Sequence, residues 1–258
     1  ILIASGGPFA YLPTLLSLKK ENPALKLIAD IRDPWVNNKT SFGYAELGTK
    51  RLKFEQKLEQ QIIDKFDALV SVAEPMTEYF KSKSRSPSSK RFFTINNGFD
   101  DDDFQASRES VLDEQFLNVV FTGSLYDKTI DQVQQFVEAV KSSQQEDGIR
   151  FHFFGEMNVK LKDLLSGLSS VKLHGIVSKN EIQQVLNCAD IGMLFLTDDL
   201  TYSFSTKFCE YLQYRKPIWV ISNEGLCPSF IVTNNLGWHS LPNKESILEA
   251  ISQLEKLP

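Results

Sequence analysis

Short apolar runs alternate with longer amphipathic stretches along nearly the whole chain. The runs ILIAS (1–5), LKLIAD (25–30), ALVSVA (68–73) and RFFTIN (91–96) come first. After a polar break come LNVVFTG (117–123), IRFHFFG (149–155), VKLHGIV (171–177), DIGMLFL (190–196), PIWVIS (217–222) and LGWHS (236–240). Such short, near-continuous apolar runs predict strands buried on both faces, as in parallel sheets. Between them the apolar positions shift to helical spacing. Ile130, Val133, Val137 and Val140 recur within 129–146, and Ile182, Val185, Leu186 and Ala189 share one side of 179–189. The charged stretch 45–66 has Leu52, Leu58, Ile62 and Ile63 as its apolar positions. This alternation predicts βαβ units and an α/β fold with doubly wound parallel sheets.

The texture changes at 97–116, which is polar, acidic and poor in aliphatics. It reads as a crossover between two Rossmann-like domains, 1–110 and 111–258. The second block has six predicted strands with their helices, a complete Rossmann-like set. The first has about four, so the N-terminal domain is expected to be incomplete. Ile1 already lies inside a strand-like run, without an initiator Met, and further sequence is expected upstream.

Composition narrows the function classes. At 258 residues and a net charge of −5, the chain gives no general reason to expect nucleic-acid binding. No apolar run approaches the ~20 residues that span a bilayer. No stretch reads as a signal peptide, and a cytoplasmic location is expected. Cys188, Cys209 and Cys227 form no CxxC pair, and His152, His174 and His239 lack metal-ligand spacing, so no metal is expected.

The candidate chemistry lies where predicted strands end. In TYSFSTKFCEYLQYRKPIWV (201–220) a helix begins near Ser205. Its free N–H groups and positive dipole end suit a diphosphate, with Ser203, Ser205 and Thr206 as caps or donors and Lys207 as a cation. Glu210, one turn further on the face of Thr206, can accept two hydrogen bonds from a ribose diol. The same residues also fit an ordinary cap with a solvated Glu. In VVFTGSLYDKTIDQ (119–132), Gly123 allows close backbone approach by phosphate, and Lys128 can neutralise it. Gly155 and Gly175 close two further strands. Arg32 and Asp33, in IADIRDPW (28–35), read either as a local ion pair or as functional groups. The run Asp100 to Asp103 reads as a solvated acidic linker rather than a metal site. The basic stretch Lys81, Lys83, Arg85, Lys90 and Arg91 reads as an exposed loop or a contact with anionic lipid.

Taken in order, these segments resemble the GT-B glycosyltransferases of family 4. Glu210 matches the second of that family's two donor-loop glutamates, and Lys216-Pro217 its Lys-Pro. Tyr202 stands where the first glutamate would be. Ser205-Thr206-Lys207 resembles a Ser/Lys subset. Ser124 stands where the family often has Arg, which shifts the expected charge to Lys128. The IADIRDPW segment and the loop SGGPFAY (5–11) resemble a bacterial surface-polysaccharide branch, and INNGFD (95–100) resembles the family's domain crossover.

The resemblance implies a GT-B fold of two Rossmann-like domains and a retaining, metal-independent hexosyltransferase without a cofactor. A UDP- or GDP-sugar would be the donor, and a sugar or lipid-linked sugar the hydroxyl acceptor. Lys128, Glu210, Arg32 and Asp33 would carry catalysis. Gly123, Ser124, Gly155, Gly175, Val177, Ser178, Ser205, Thr206 and Lys207 would bind the donor, with Gly175 to Ser178 receiving the base and Ile182 nearby. Peripheral contact with an anionic inner membrane face is a further expectation. A nucleotide-sugar-binding module without turnover and a GT-B nucleotide-sugar 2-epimerase remain alternatives.

Overall fold

A computed structural model describes residues 1–36, 47–86, 91–100, 111–143, 148–198, 200 and 202–254. Lys90 of the basic stretch and Asp101 to Asp103 of the acidic run lie outside the described residues. The chain forms two compact units, Ile1–Asn97 and Gly98–Pro258. The split falls at the head of the polar stretch 97–116.

In the first unit, β1 (Leu2–Ser5), β2 (Leu27–Ile31), β3 (Ala68–Ser71) and β4 (Phe92–Thr94) form a parallel sheet in sequence order. The helices are α1 (Leu16–Glu21), entered through a 3-10 helix at Phe9–Leu15, then α2 (Thr49–Lys65) and α3 (Glu74–Lys83). Leu27, Ala29 and Ile31 of β2 are buried, while Ile28 and Asp30 between them are half-buried. The face bearing Ile28 is the less covered one: Ile3, aligned with Ile28, and Phe93, aligned with Val70, stand exposed.

Helix α2 buries Glu55 and Glu59 beside Ile62 and Ile63. A buried carboxylate must be paired. Glu55 accepts from the Trp35 indole at 2.8 Å and pairs with Arg51. Glu59 accepts from the Val36 N–H (3.3 Å), the Tyr79 hydroxyl (3.2 Å) and Lys83 (2.9 Å). Burial raises the Glu59 pKa, and these partners oppose the rise. The two carboxylates thus tie down the chain just after Arg32-Asp33-Pro34.

The second unit has a parallel sheet built from β5 (Leu117–Thr122), β6 (Ile149–Phe154), β7 (Val171–Gly175), β8 (Ile191–Phe195), β9 (Ile218–Ile221) and β10 (Gly237–Ser240). The spatial order is β10-β9-β8-β5-β6-β7, which is the Rossmann arrangement. Helices α4 (Ile130–Ser142), α5 (Val159–Ser166) and α9 (Lys244–Leu254) pack Phe136, Leu161 and Ile251 with Phe153 and Trp219. Helices α6 (Lys179–Cys188), α7 (Thr206–Gln213) and α8 (Leu226–Thr233) pack Leu186, Phe208 and Ile231 with Leu194 and Val220. Both faces of the inner strands β5, β8 and β9 are therefore covered, as their apolar runs require, while β7 at the edge leaves Lys172, Leu173 and His174 exposed.

At the carboxyl edge, Gly123, Gly155 and Gly175 take φ of 111°, 127° and 73°, which favours glycine. They are stitched together: the Gly123 N–H donates to the Phe154 carbonyl and the Gly155 N–H to the Gly175 carbonyl, each at 2.7 Å. A Cβ on Gly155 would lie 2.3 Å from the Gly123 oxygen, whereas one on Gly175 meets nothing.

A polar file also crosses β5, β6 and β7. The Asn118 amide nitrogen donates to the carbonyls of Asp113 and Phe116, so its oxygen faces His152 Nε2 at 3.0 Å and accepts. His152 Nδ1 is then the acceptor for His174 Nε2 at 3.0 Å. His174 stacks on Phe154 with ring centroids 4.0 Å apart. Burial holds the His152 pKa down at about 4, helped by His174, Lys172 and Arg150.

Two predictions follow from this packing. Gly155→Ala should cost at least about 2 kcal/mol in urea denaturation, and Gly175→Ala about 1 kcal/mol, because only the first adds a collision to the backbone strain. For His152, the folded pKa lies below the ordinary value of 6.5. Its stabilising contribution is complete above pH 6.5 and is lost as pH falls towards about 4. Denaturation midpoints of wild type and His152→Gln, followed from pH 7 to pH 4, should therefore show a shallower fall in the variant.

Candidate functional site

Strands β5 and β8 are neighbours at the point where the strand order of the second sheet reverses. They pair only at Val119 with Ile191 and at Val120 with Gly192, and then part. Parting leaves backbone groups that need partners. The fully buried Tyr211 of α7 supplies them. Its hydroxyl accepts from the Thr122 N–H at 3.1 Å, and lies 3.1 Å from the Met193 carbonyl and 3.2 Å from that of Val120. Burial raises the phenol pKa, so the hydroxyl keeps its hydrogen for these carbonyls. Gly192 makes room for the ring, since a Cβ there would sit 2.5 Å from it.

Beyond this opening lies a cleft of about 320 Å³. Thr122 and Gly123 line it from the end of β5, Phe154 and Gly155 from β6, and Ile176 and Val177 from the loop after β7. Helix α6 contributes Lys179 and Ile182, and α7 contributes Thr206, Lys207 and Glu210. Such a crevice at a topological switch point is where open α/β sheets bind ligands.

The charges in the cleft are placed by α7. Ser205 caps the helix, its hydroxyl accepting from the Phe208 N–H at 3.2 Å. The N–H groups of Thr206 and Lys207, ahead of that bond, lie at the positive end of the helix dipole. The Lys207 side chain lies directly over Gly123: a Cβ there would be 2.7 Å from its Nζ. Burial lowers the Lys207 pKa, and Glu210 opposes that. Burial raises the Glu210 pKa, opposed by Lys207 and Lys179. The cleft thus presents a half-buried cation and a half-buried carboxylate one turn apart, beside bare glycine backbone.

Of the donor residues expected from sequence, the cleft brings together Gly123, Gly155, Val177, Thr206, Lys207 and Glu210. Ser205 and Ser178 serve as caps. Ser178 forms a reciprocal capping box with Glu181, accepting from its N–H at 3.3 Å and donating its own N–H at 2.8 Å. Gly175 holds the Gly155 N–H, and Ser124 lies just past the lining. Lys128 is exposed on the 3-10 turn Asp127–Thr129, outside the lining. Tyr202 is half-buried in the turn before α7. Sequence reasoning missed Phe154, Lys179 and Tyr211. One signal was available for the last: a glycine inside an apolar strand, Gly192, marks close approach by another group.

Within the first unit, three separate motifs meet. Ser5 donates to Asp30 at 2.6 Å. Arg32 reaches Asp30 at 3.4 Å, the Ile95 carbonyl at 3.3 Å and the Asn97 side chain at 2.5 Å. Phe9 stacks on Trp35 with centroids 5.1 Å apart. Arg32 is thereby committed to a local network. Asp33 makes no hydrogen bond among the described residues. Burial raises its pKa, and Arg32 opposes the rise.

Among the described residues, no three His, Cys, Asp or Glu side chains converge as metal ligands, and no helix is long and apolar enough to cross a membrane.

No protein-family model and no curated protein matches the chain. Solved structures do. WaaG, a glycosyltransferase involved in lipopolysaccharide biosynthesis, aligns with a TM-score of 0.68 at 14% identity, covering 100% of this chain and 77% of that one. HepE from Anabaena, in complex with UDP and glucose, gives 0.67 at 13% identity, with 98% and 68% covered. The N-terminal domain of trehalose-6-phosphate phosphatase from Candida albicans gives 0.74 at 13%, with 100% and 64% covered. The chain thus spans 64–77% of these three chains. The likeness is one of fold: this is a GT-B glycosyltransferase fold, with two Rossmann-like units.

Proposed function

We propose that the chain is a retaining glycosyltransferase that moves a sugar from a UDP- or GDP-sugar to a hydroxyl acceptor in bacterial surface-polysaccharide synthesis. The observation that carries this reading is the placement of Lys207 over Gly123 with Glu210 one turn along α7, in a cleft at the switch point of a GT-B fold. The diphosphate would lie against Gly123 and Gly155, where no side chain blocks the backbone. Lys207 and the α7 N-terminus would stabilise the negative charge that grows as the glycosidic bond breaks. Lys207 suits this role because it is already partly withdrawn from water, so an arriving diphosphate strips less hydration from it. Lys128 would add long-range charge from the rim.

Glu210 would accept hydrogen bonds from the ribose hydroxyls. The base would sit among Ile176, Val177 and Ile182. Attack from the face of the departing diphosphate would retain the anomeric configuration, without a metal or other cofactor. Asp33, a half-buried carboxylate at the carboxyl edge of the first sheet, would contact the acceptor hydroxyl. Arg32 would keep that edge in place through Asp30 and Asn97. The acceptor would be a sugar or lipid-linked sugar, met at the inner membrane face.

A second reading is a nucleotide-sugar-binding module without turnover. Tyr202, at the position of the first family glutamate, favours it. A 2-epimerase fits less well. The titratable groups of the cleft among the described residues are Lys179, Lys207 and Glu210, a sparse set for moving protons on a sugar.

Calorimetry with UDP, GDP and their sugars tests the reading, and absence of binding by all of them would refute it. Binding without donor hydrolysis or transfer would select the module. Glu210→Ala should weaken nucleotide binding by about 1–3 kcal/mol, because the ribose hydroxyls lose a buried acceptor. Lys207→Ala should weaken the diphosphate by about 1.5–3 kcal/mol and leave the free nucleoside unchanged.

A further inference from the structure

We infer that Tyr211 is a positioning residue of the donor site, its hydroxyl setting the gap between the turn after β5 and helix α7 and so the fit of the diphosphate. The inference rests on the donor-site reading above and adds to it a residue that never meets the ligand.

The two halves of the cleft come from different parts of the chain. Thr122 and Gly123 belong to the end of β5. Lys207 and Glu210 belong to α7, at four residues and one residue before Tyr211. One side chain ties the halves together. The Tyr211 hydroxyl holds the Thr122 N–H at 3.1 Å, immediately before Gly123, and reaches the Met193 carbonyl on the far side of the gap at 3.1 Å. The Thr122 hydroxyl lies 3.3 Å away on the same atom. With the ring seated against Gly192, the helix cannot slide along the sheet without breaking these bonds or driving the ring into the strand.

A phenol is a demanding device for this task. An apolar side chain would fill the space equally well but leave the Thr122 N–H and Met193 carbonyl without this partner. Stability alone could be served by closing the strands into a continuous ladder, which would also close the cleft. The hydroxyl allows β5 and β8 to part while their backbone groups stay bonded.

The test compares UDP with uridine on wild type and Tyr211→Phe by calorimetry, using GDP and guanosine if GDP is the nucleotide bound. Removing the hydroxyl should weaken the diphosphate about tenfold and the nucleoside less than threefold, because the Gly123 turn serves the phosphates. Lys207→Ala should also cost less in the Tyr211→Phe background than in wild type, since a misplaced turn cannot use the cation fully. A merely structural tyrosine would lower the unfolding midpoint while UDP binding stayed within twofold, or would weaken UDP and uridine equally. Either result overturns the inference. Should Tyr211→Phe fail to fold, Gly192→Ala, which displaces the ring and keeps the hydroxyl, must show the same preferential loss of UDP. Wild-type protein that binds no nucleoside diphosphate would remove the donor reading and this inference together. Wild-type binding with an unaltered variant removes the inference alone.

Discussion

Strands β5 and β8 must lie side by side and yet part after two residues, and the second unit is organised around that constraint. A Rossmann sheet reverses direction there, so helices leave on opposite faces and no connection covers the gap. The gap is useful only if the backbone groups lining it are satisfied without filling it. Tyr211 meets that condition from below, through a ring admitted by Gly192. Glycines meet it from above, by leaving the rim bare. The cleft is therefore a consequence of topology, kept open by Tyr211, Gly192 and the rim glycines.

Charge is placed by similar economy. Lys207 and Glu210 sit one turn apart on a capped helix, each partly withdrawn from water and each moderating the other's pKa shift. A withdrawn cation is under-solvated, so an arriving anion displaces little water from it. The first unit uses polar groups differently. Glu55 and Glu59 face inward and hold the Trp35 segment, while Ser5, Asp30, Arg32 and Asn97 join the ends of β1 and β2 to the segment after β4. Most of these side chains are saturated by their neighbours. Asp33, without a hydrogen bond among the described residues, is the exception.

Likeness to the solved glycosyltransferases at 13–14% identity is explicable in these terms. A doubly wound fold needs buried apolar strands, amphipathic helices and glycines at a few edges, and many sequences provide them. What distinguishes one such protein from another is the handful of groups at the carboxyl edge. Here that handful includes Tyr202, Lys207 and Glu210.

The strand pattern was legible in the sequence because inner strands such as β5, β8 and β9, buried on both faces, leave a near-unbroken apolar signature, and the edge strands keep short apolar runs; all ten predicted runs contain strands. The glycines at strand ends and the helix starting at Ser205 were legible too, since left-handed turns and caps impose residue types locally. Other features were invisible for a common reason: they depend on pairs far apart in the chain. Nothing local to Glu55 or Glu59 says that they turn inward, because their partners Trp35, Tyr79 and Lys83 lie elsewhere. In sequence the expected phosphate charge falls on Lys128, with Lys207 as a second cation. Only the fold lays Lys207 across Gly123 and leaves Lys128 on an exposed turn. Nothing local marked Tyr211, because its hydroxyl finds its partners, the Thr122 N–H and the Met193 carbonyl, on two strands far away in the chain. Periodicity and turn chemistry determined the architecture; distance across the sheet decided which side chains share the cleft.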